Sequence, residues 1–77
     1  MTILGVKNIS YTNKAGREVN GYELHVAYDD KRVFGKAVDT VFISQRVADD
    51  IGFKPEPKQN IEIFYNKYGS VADIKVL

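Results

Sequence analysis

A strict two-residue alternation between residues 22 and 28 constrains the fold of this chain more than any other feature. Large apolar or aromatic side chains alternate there with polar or small ones, in the order Tyr22, Glu23, Leu24, His25, Val26, Ala27, Tyr28. A period of two places successive side chains on opposite faces of a β-strand. The sequence therefore predicts a strand over residues 19–28 with one face buried and the other in water.

Four further segments carry β-strand signals, at about residues 2–12, 31–43, 61–65 and 70–77. The apolar phase of the first segment, set by Leu4 and Val6, switches near Lys7 and Asn8, which predicts a β-bulge there. The third segment contains Gly35, and a glycine inside a strand is typical of a bend or a barrel corner. In the last segment one face is predicted to carry Ala72, Ile74 and Val76.

One short helix is predicted between the third and fourth strands, over residues 44–53. The Ser44 hydroxyl can accept a hydrogen bond from a free amide of the first turn. Gly52 suits the left-handed position after the last turn, and Phe53 can make the hydrophobic contact that closes such a cap. The helix presents one apolar stripe, made of Val47, Ala48 and Ile51.

The chain has 77 residues, enough for one small domain spanning 1–77. Five strands in so short a chain cannot form a deep sandwich, whereas rolling the sheet into a barrel removes its exposed edges. We therefore expect an all-β fold with one short helix, a five-stranded oligonucleotide/oligosaccharide-binding (OB)-like barrel of order β-β-β-α-β-β. An SH3-like barrel or a strongly bent meander is the alternative.

The predicted pairing of strands two and three defines a candidate site. If the turn is Asp29-Asp30, Tyr28 lies opposite Lys31 and Val26 opposite Val33, so that Val33 points inward. The opposite, wet face of the hairpin then carries His25, Arg32, Phe34 and Lys36. Tyrosines 22, 28 and 65 fall in the buried phase and are predicted to be core residues.

An outward aromatic ring among cations is typical of surfaces that bind single strands, because rings stack on bases and cations contact phosphates. The loops that flank this face in OB folds carry similar residues. The full set of predicted nucleic-acid-binding residues is Lys14, Arg17, His25, Arg32, Phe34, Lys36, Phe64, Lys67 and Tyr68. Single-stranded nucleic acid, DNA before RNA, is the expected partner.

Composition argues against catalysis and against cofactor or metal chemistry. The chain has one His and no Cys, and no phosphate-binding glycine motif. Asp49 and Asp50 diverge around a helix, and Asp29-Asp30 is better explained as a turn than as a metal site. The net charge of +1 excludes histone-like binding through charge alone. Without a signal peptide or a long apolar run, we expect a cytoplasmic protein with no membrane partner.

The segment Asn60-Ile61-Glu62-Ile63-Phe64-Tyr65-Asn66-Lys67-Tyr68-Gly69-Ser70-Val71-Ala72-Asp73-Ile74 resembles the closing hairpin of many OB-like barrels. With the predicted architecture, the chain resembles the small single-stranded-DNA-binding proteins of phages and mobile elements, the gene V type of helix-destabilising protein. That resemblance implies DNA binding through exposed aromatics and cations, and assembly as a homodimer. The matching residue types here are Arg17, Arg32, Phe34, Lys67 and Tyr68.

Two other functions fit the sequence. Phe34, Phe53 and Phe64 could form an apolar patch beside a free sheet edge, which would indicate a protein-interaction or assembly module. A small-ligand or oligosaccharide binder rests on fold analogy alone.

Overall fold

The computed structural model describes residues 1–77 and contains five strands and one helix. The elements are β1 (Thr2–Thr12), β2 (Glu18–Tyr28), β3 (Ala37–Ser44), α1 (Gln45–Ile51), β4 (Ile61–Tyr65) and β5 (Val71–Val76). They form two antiparallel sheets, a three-stranded one of order β1-β2-β3 and a two-stranded one of order β4-β5. The fold is mostly β with one short helix, and the sheets do not close into a barrel.

The start of β1 joins the two sheets. Met1 and Ile61 exchange two hydrogen bonds, from the Ile61 amide to the Met1 carbonyl at 2.8 Å and from the N-terminal amine to the Ile61 carbonyl at 3.0 Å. Two residues along β1, the Ile3 amide donates a hydrogen bond to the Gln59 carbonyl at 2.9 Å. These bonds make residues 58–61 a neighbour of β1. β3 and β5 each have a free edge, as do β1 beyond Ile3 and β4 beyond Ile61.

The core lies between the two sheets and the helix. Its buried side chains come from every element, and they are Ile3, Leu24, Val26, Ile43, Ala48, Phe53, Ile61, Val71 and Ile74. Leu24 and Val26 point inward, as the alternation in β2 predicts. Tyr22 packs against this core, and Tyr28 is half-buried at the end of β2.

The helix begins and ends as its sequence predicts. The Ser44 hydroxyl accepts a hydrogen bond from the Val47 amide at 3.2 Å. Gly52 adopts the left-handed conformation, with φ of 68°, and the Phe53 amide donates to the Ala48 carbonyl at 2.9 Å. Phe53 is buried, so the hydrophobic contact that closes the helix is formed.

The β-bulge of β1 lies at Leu4, and the position predicted near Lys7 and Asn8 was wrong. Ile3 pairs with Val26 and Val6 pairs with Leu24, so three steps along β1 match two steps along β2. The extra residue, Leu4, is exposed rather than inward. Because the bulge precedes Val6, the pairing of β1 with β2 is regular from Val6 to Thr12, and successive side chains alternate between the two sides of the sheet.

The predicted hairpin between strands two and three was also wrong. Tyr28 pairs with Ala37 instead of Lys31, and Val26 pairs with Asp39 instead of Val33. The strands are joined by an eight-residue loop, residues 29–36, rather than by a tight turn. Ion pairs within this loop stabilise it: Lys36 contacts Asp29 at 2.6 Å, and Arg32 contacts Asp30 at 3.2 Å. Val33 is exposed, against the prediction that it points inward.

The pairing of β4 with β5 is irregular between Phe64 and Tyr65, and two predictions for this hairpin were wrong. Tyr65 pairs with Val71, and Val71 rather than Ala72 enters the core. The Tyr65 side chain is 53% exposed, so its assignment to the core was wrong. Tyr65 lies at the end of β4 beside Val71 and lines an opening that it shares with β3.

The free edges of β3 and β5 each carry an aspartate that accepts a hydrogen bond from a backbone amide. On β3, Asp39 Oδ1 accepts a hydrogen bond from the Thr40 amide at 2.8 Å. On β5, Asp73 Oδ1 accepts one from the Ile74 amide, also at 2.8 Å. A free edge with unsatisfied donors can pair with another chain, and charged residues on the edge reduce that tendency. The same arrangement thus protects both edges.

Candidate nucleic-acid interface

The outer side of the three-stranded sheet, facing away from the core, carries a cluster of apolar side chains that we call the aromatic face. It consists of Ile9, Tyr11, Val19 and Phe42. Residues paired across the sheet share a face: Tyr11 lies opposite Val19, and Phe42 lies opposite Glu23. Together with Glu23 and Thr40 these side chains surround a cavity of about 370 Å³. A shallow apolar hollow with an aromatic ring on two sides can receive a planar group.

Gly21 allows Phe42 to lie close against the sheet. A Cβ at Gly21 would come within 2.8 Å of the Phe42 ring and would overlap the Ile43 carbonyl oxygen. Because glycine has no side chain, the ring can rest over the backbone of β2 with its other surface accessible. Phe42 is 45% exposed as a result.

Two openings lead from Phe42 in different directions. The first is a cleft of about 340 Å³ between the end of the β1–β2 hairpin and the start of α1, and it is lined by Arg46. The second, which we call the groove, separates β3 from the β4–β5 hairpin and measures about 460 Å³. Its lining is apolar on several sides, and its one charged residue is an acid: Asp39, Thr40, Val41, Phe42, Ser44, Val47, Tyr65, Gly69, Ser70 and Val71.

The loop between β1 and β2 holds two of the predicted cations. Asn13 Oδ1 accepts hydrogen bonds from the amides of Ala15 and Arg17, both at 3.0 Å. The Arg17 carbonyl accepts from the Asn13 amide at 2.8 Å, which closes a three-residue loop. Lys14 and Arg17 are exposed and form no ion pair. The backbone that carries these two cations is therefore well defined.

The loop between β4 and β5 places Lys67 and Tyr68 beside the groove. The Lys67 ammonium lies 5.1 Å from the centre of the Tyr68 ring, within range of a cation–π interaction. Tyr68 is exposed, and the next two residues, Gly69 and Ser70, line the groove. The loop therefore presents an aromatic ring and a positive charge together.

In the loop of residues 29–36, two of the three cations, Arg32 and Lys36, are held in ion pairs. A hydrogen bond from the Lys36 ammonium holds the pKa of the Asp29 carboxyl below its ordinary value. A hydrogen bond from the Arg32 guanidinium does the same for the pKa of Asp30. Phe34 is fully exposed at the end of this loop. The ring points outward, as predicted. It does so because Phe34 lies in a loop, and not because it alternates with inward residues along a strand.

The structure does not assemble the predicted set into one face. His25 is half-buried and lies opposite Thr40, whereas Phe34 stands on the separate loop. Phe64 is exposed on β4 opposite Asp73 and lines none of the cavities. The residues that lie together on a sheet face are Tyr11 and Phe42, which the sequence reasoning did not select.

A sequence signal for Phe42 existed. Thr40 and Phe42 alternate with Val41 and Ile43, and pairing β3 by this alternation would have placed Phe42 on the wet face. Arg46 was missed for a different reason. It lies on the exposed side of α1, and its approach to the sheet depends on how the helix packs.

No group of three or more His, Cys, Asp and Glu side chains is placed to hold a metal ion. The structure contains no helix with the length and apolar character needed to cross a bilayer. No protein-family model, curated protein or solved structure significantly matches this chain.

Proposed function

We propose that this protein binds single-stranded nucleic acid, DNA in the first instance, without strong sequence preference. The observation that supports this most is the pair Tyr11 and Phe42 around one cavity on an open sheet face. Free cations stand on two sides of it, in the loop of Lys14 and Arg17 and on the helix at Arg46. The activity proposed is cytoplasmic binding, with no catalytic step and no cofactor.

The strand arrangement supports an OB-like architecture for this site. β1 pairs with β2 along its length and with residues 58–61 at its start, as a five-stranded barrel opened between β3 and β5 would require. In OB folds the face of strands two and three and the loops 1–2 and 4–5 bind oligonucleotides. Here those two loops carry Lys14 and Arg17 on one side and Lys67 and Tyr68 on the other.

Stacking is the expected main contribution to affinity. Each base stacked on an aromatic side chain contributes about 1–3 kcal/mol, and every base has a planar surface to offer. A single strand can turn its bases toward Tyr11 and Phe42, whereas a duplex keeps its bases paired. Glu23 lines the same cavity and Asp39 lines the groove on the other side of Phe42, so phosphates are expected at the margins of the aromatic face, beside the cationic loops.

Charge contributes a smaller, salt-dependent part. Eleven Lys and Arg are present, and only Arg32 and Lys36 are held in ion pairs. If four cations, Lys14, Arg17, Arg46 and Lys67, contact phosphates, log K falls with log salt at a slope of about −3. A near-neutral protein with this slope binds weakly at physiological salt and tightly at low salt.

Fluorescence anisotropy of a labelled oligo-dT, titrated with protein at two salt concentrations, tests the proposal. Phe42→Ala and Tyr11→Ala should each weaken binding about tenfold, the equivalent of about 1.4 kcal/mol, within the range of one lost stacking contact. Phe64→Ala is the matched control, because Phe64 is 43% exposed against 45% for Phe42 but lies on the other sheet. No binding of the wild-type protein at low salt would reject the proposal.

A further inference from the structure

Two exposed apolar residues, Val33 and Phe34, lie at the outermost part of the loop of residues 29–36, and we call them the loop tip. Phe34 is fully exposed and Val33 is 40% exposed. The Asp29–Lys36 ion pair joins the two ends of the loop. The Asp30 carboxylate accepts from both the Arg32 backbone amide, at 2.9 Å, and the Arg32 side chain. The loop is thus fixed with its apolar residues outermost.

A fixed loop that displays a large aromatic side chain is suited to docking. Ordering a flexible loop at an interface costs free energy, and a loop already held in place avoids much of that cost. Buried aromatic side chains are the residues that contribute most at protein interfaces, commonly within a ring of polar contacts. Phe34 is likewise an aromatic side chain with ion pairs beside it, but no pocket of its own chain buries its ring.

The surface area of the chain is larger than that of a typical monomer of its size. Its accessible surface is 5843 Å². A compact 8.7 kDa monomer is expected to expose about 4,700 Å². The excess, roughly 1,100 Å², exceeds the ~800 Å² that each partner buries in a standard protein interface. A second copy could therefore cover this excess and form a stable dimer.

The groove between β3 and the β4–β5 hairpin has the properties that the loop tip needs in a receptor. Val41, Val47 and Val71 give it an apolar base, and Phe42 and Tyr65 stand at its sides. Its only charged lining residue is Asp39, and the loop tip is preceded by Lys31, a cation with no ion pair. The charge of the groove and that of the loop are complementary.

We propose that the loop tip of one copy inserts into the groove of a second copy, with Phe34 among the valines and Lys31 near Asp39. In a two-fold dimer this contact occurs twice: each copy inserts its loop tip into the groove of the other. Both tips and both grooves are then occupied, and the assembly is closed. This proposal does not depend on nucleic-acid binding. The groove and the aromatic face share Thr40 and Phe42, whereas Tyr11 lines only the aromatic face, outside the proposed contact.

Sedimentation equilibrium of the full chain tests the dimer. Wild type should be a dimer at high micromolar concentration, and Phe34→Ala should raise the dimer dissociation constant at least 30-fold. Ser70→Arg, an exposed position on the groove, should have the same effect without altering the core. Tyr68→Ala is the control, since it removes another exposed loop aromatic that does not line the groove, and it should remain dimeric.

Cross-linking locates the contact, because the chain has no cysteine of its own. Val33→Cys and Ser70→Cys proteins, mixed and mildly oxidised, should form a disulfide-linked heterodimer. Val33→Cys mixed with Thr12→Cys should not form one, because Thr12 is an exposed residue at the end of β1 and does not line the groove. Equal yields in the two mixtures would contradict the proposed contact.

Three results would overturn the proposal. One is a wild-type protein that remains monomeric at millimolar concentration. Another is a dimer that Phe34→Ala and Ser70→Arg leave intact. The third is loss of oligo-dT binding in Phe34→Ala with unchanged assembly, which would assign the loop tip to nucleic acid. Failure of oligo-dT binding in wild type would reject the function proposed above and leave the dimer unaffected.

Discussion

Asn13 and Asn66 occupy the same position in two loops with the same hydrogen bonds. Each side-chain oxygen accepts from the amides two and four residues later, at 3.0 and 3.0 Å for Asn13 and at 2.9 and 3.1 Å for Asn66. Each asparagine is followed by a lysine, one variable residue and a left-handed glycine, Gly16 and Gly69, with φ of 77° and 81°. Lys14 and Lys67 are therefore presented on equivalent backbone supports.

Replacing either asparagine by alanine should lower the stability of the protein. Asn13→Ala and Asn66→Ala each remove the acceptor of two exposed loop hydrogen bonds, and we expect a loss of about 1 kcal/mol in the free energy of unfolding. Urea denaturation followed by circular dichroism measures it. Asn→Asp at the same positions keeps the accepting oxygen and should cost clearly less, and equal losses would show that these hydrogen bonds do not stabilise the loops.

Gly21→Ala should destabilise the protein and displace Phe42. The added methyl group would overlap the Ile43 carbonyl and press on the Phe42 ring, and overpacking of this kind costs about 1–3 kcal/mol. Gly5→Ala is the matched control, because no atom lies within 4 Å of the added carbon at that strand position. Thermal unfolding of both variants measures the difference. Equal stability of the two would contradict the close contact of Phe42 with β2.

Asp73→Ala should expose a backbone donor on the free edge of β5. Without the carboxylate, the Ile74 amide loses its acceptor, and its hydrogen exchange should become faster. We also expect more aggregation on prolonged incubation, because the edge can then pair with another chain. Asp73→Asn retains an accepting oxygen and should behave as wild type does. Unchanged exchange at Ile74 in the alanine variant would show that Asp73 does not protect the edge.

Acid should loosen the loop of residues 29–36. Because the ion pairs lower the folded-state pKa values of Asp29 and Asp30, their stabilising effect is present above the ordinary aspartate pKa, about 3.9, and is lost as pH falls through the lower folded values. An NMR titration of the carboxyl carbons should give midpoints below the ordinary value. Lys36→Met should raise the midpoint of Asp29 toward it, and an unchanged midpoint would contradict the Lys36 contact.

Local signals in the sequence were sufficient where structure depends on neighbouring residues. Ser44 and Gly52 limit the helix because capping involves atoms within a few positions of the chain. The alternation in β2 identifies its buried side for the same reason. These features fixed the mostly-β class and the position of the helix.

Strand register was not predictable because it depends on contacts that sequence spacing does not show. Asp29 and Asp30 are typical turn residues, but here Asp29 binds Lys36 across an eight-residue loop, and Asp30 binds Arg32 within it. A shift of that register moved Phe34 off the sheet and left Phe42 on its outer face. The bulge at Leu4 had the same kind of effect on Tyr11, which pairs with Val19 on the outer face.

NMR chemical-shift mapping with unlabelled oligo-dT at low salt shows whether nucleic acid binds on the aromatic face. The largest amide shifts should occur at Tyr11, Val19 and Phe42, with smaller ones at Lys14 and Arg17. Residues 31–36 and Phe64 should shift little. Shifts confined to the loop of residues 29–36, or no shifts at saturating oligonucleotide, would show that nucleic acid does not bind on the aromatic face.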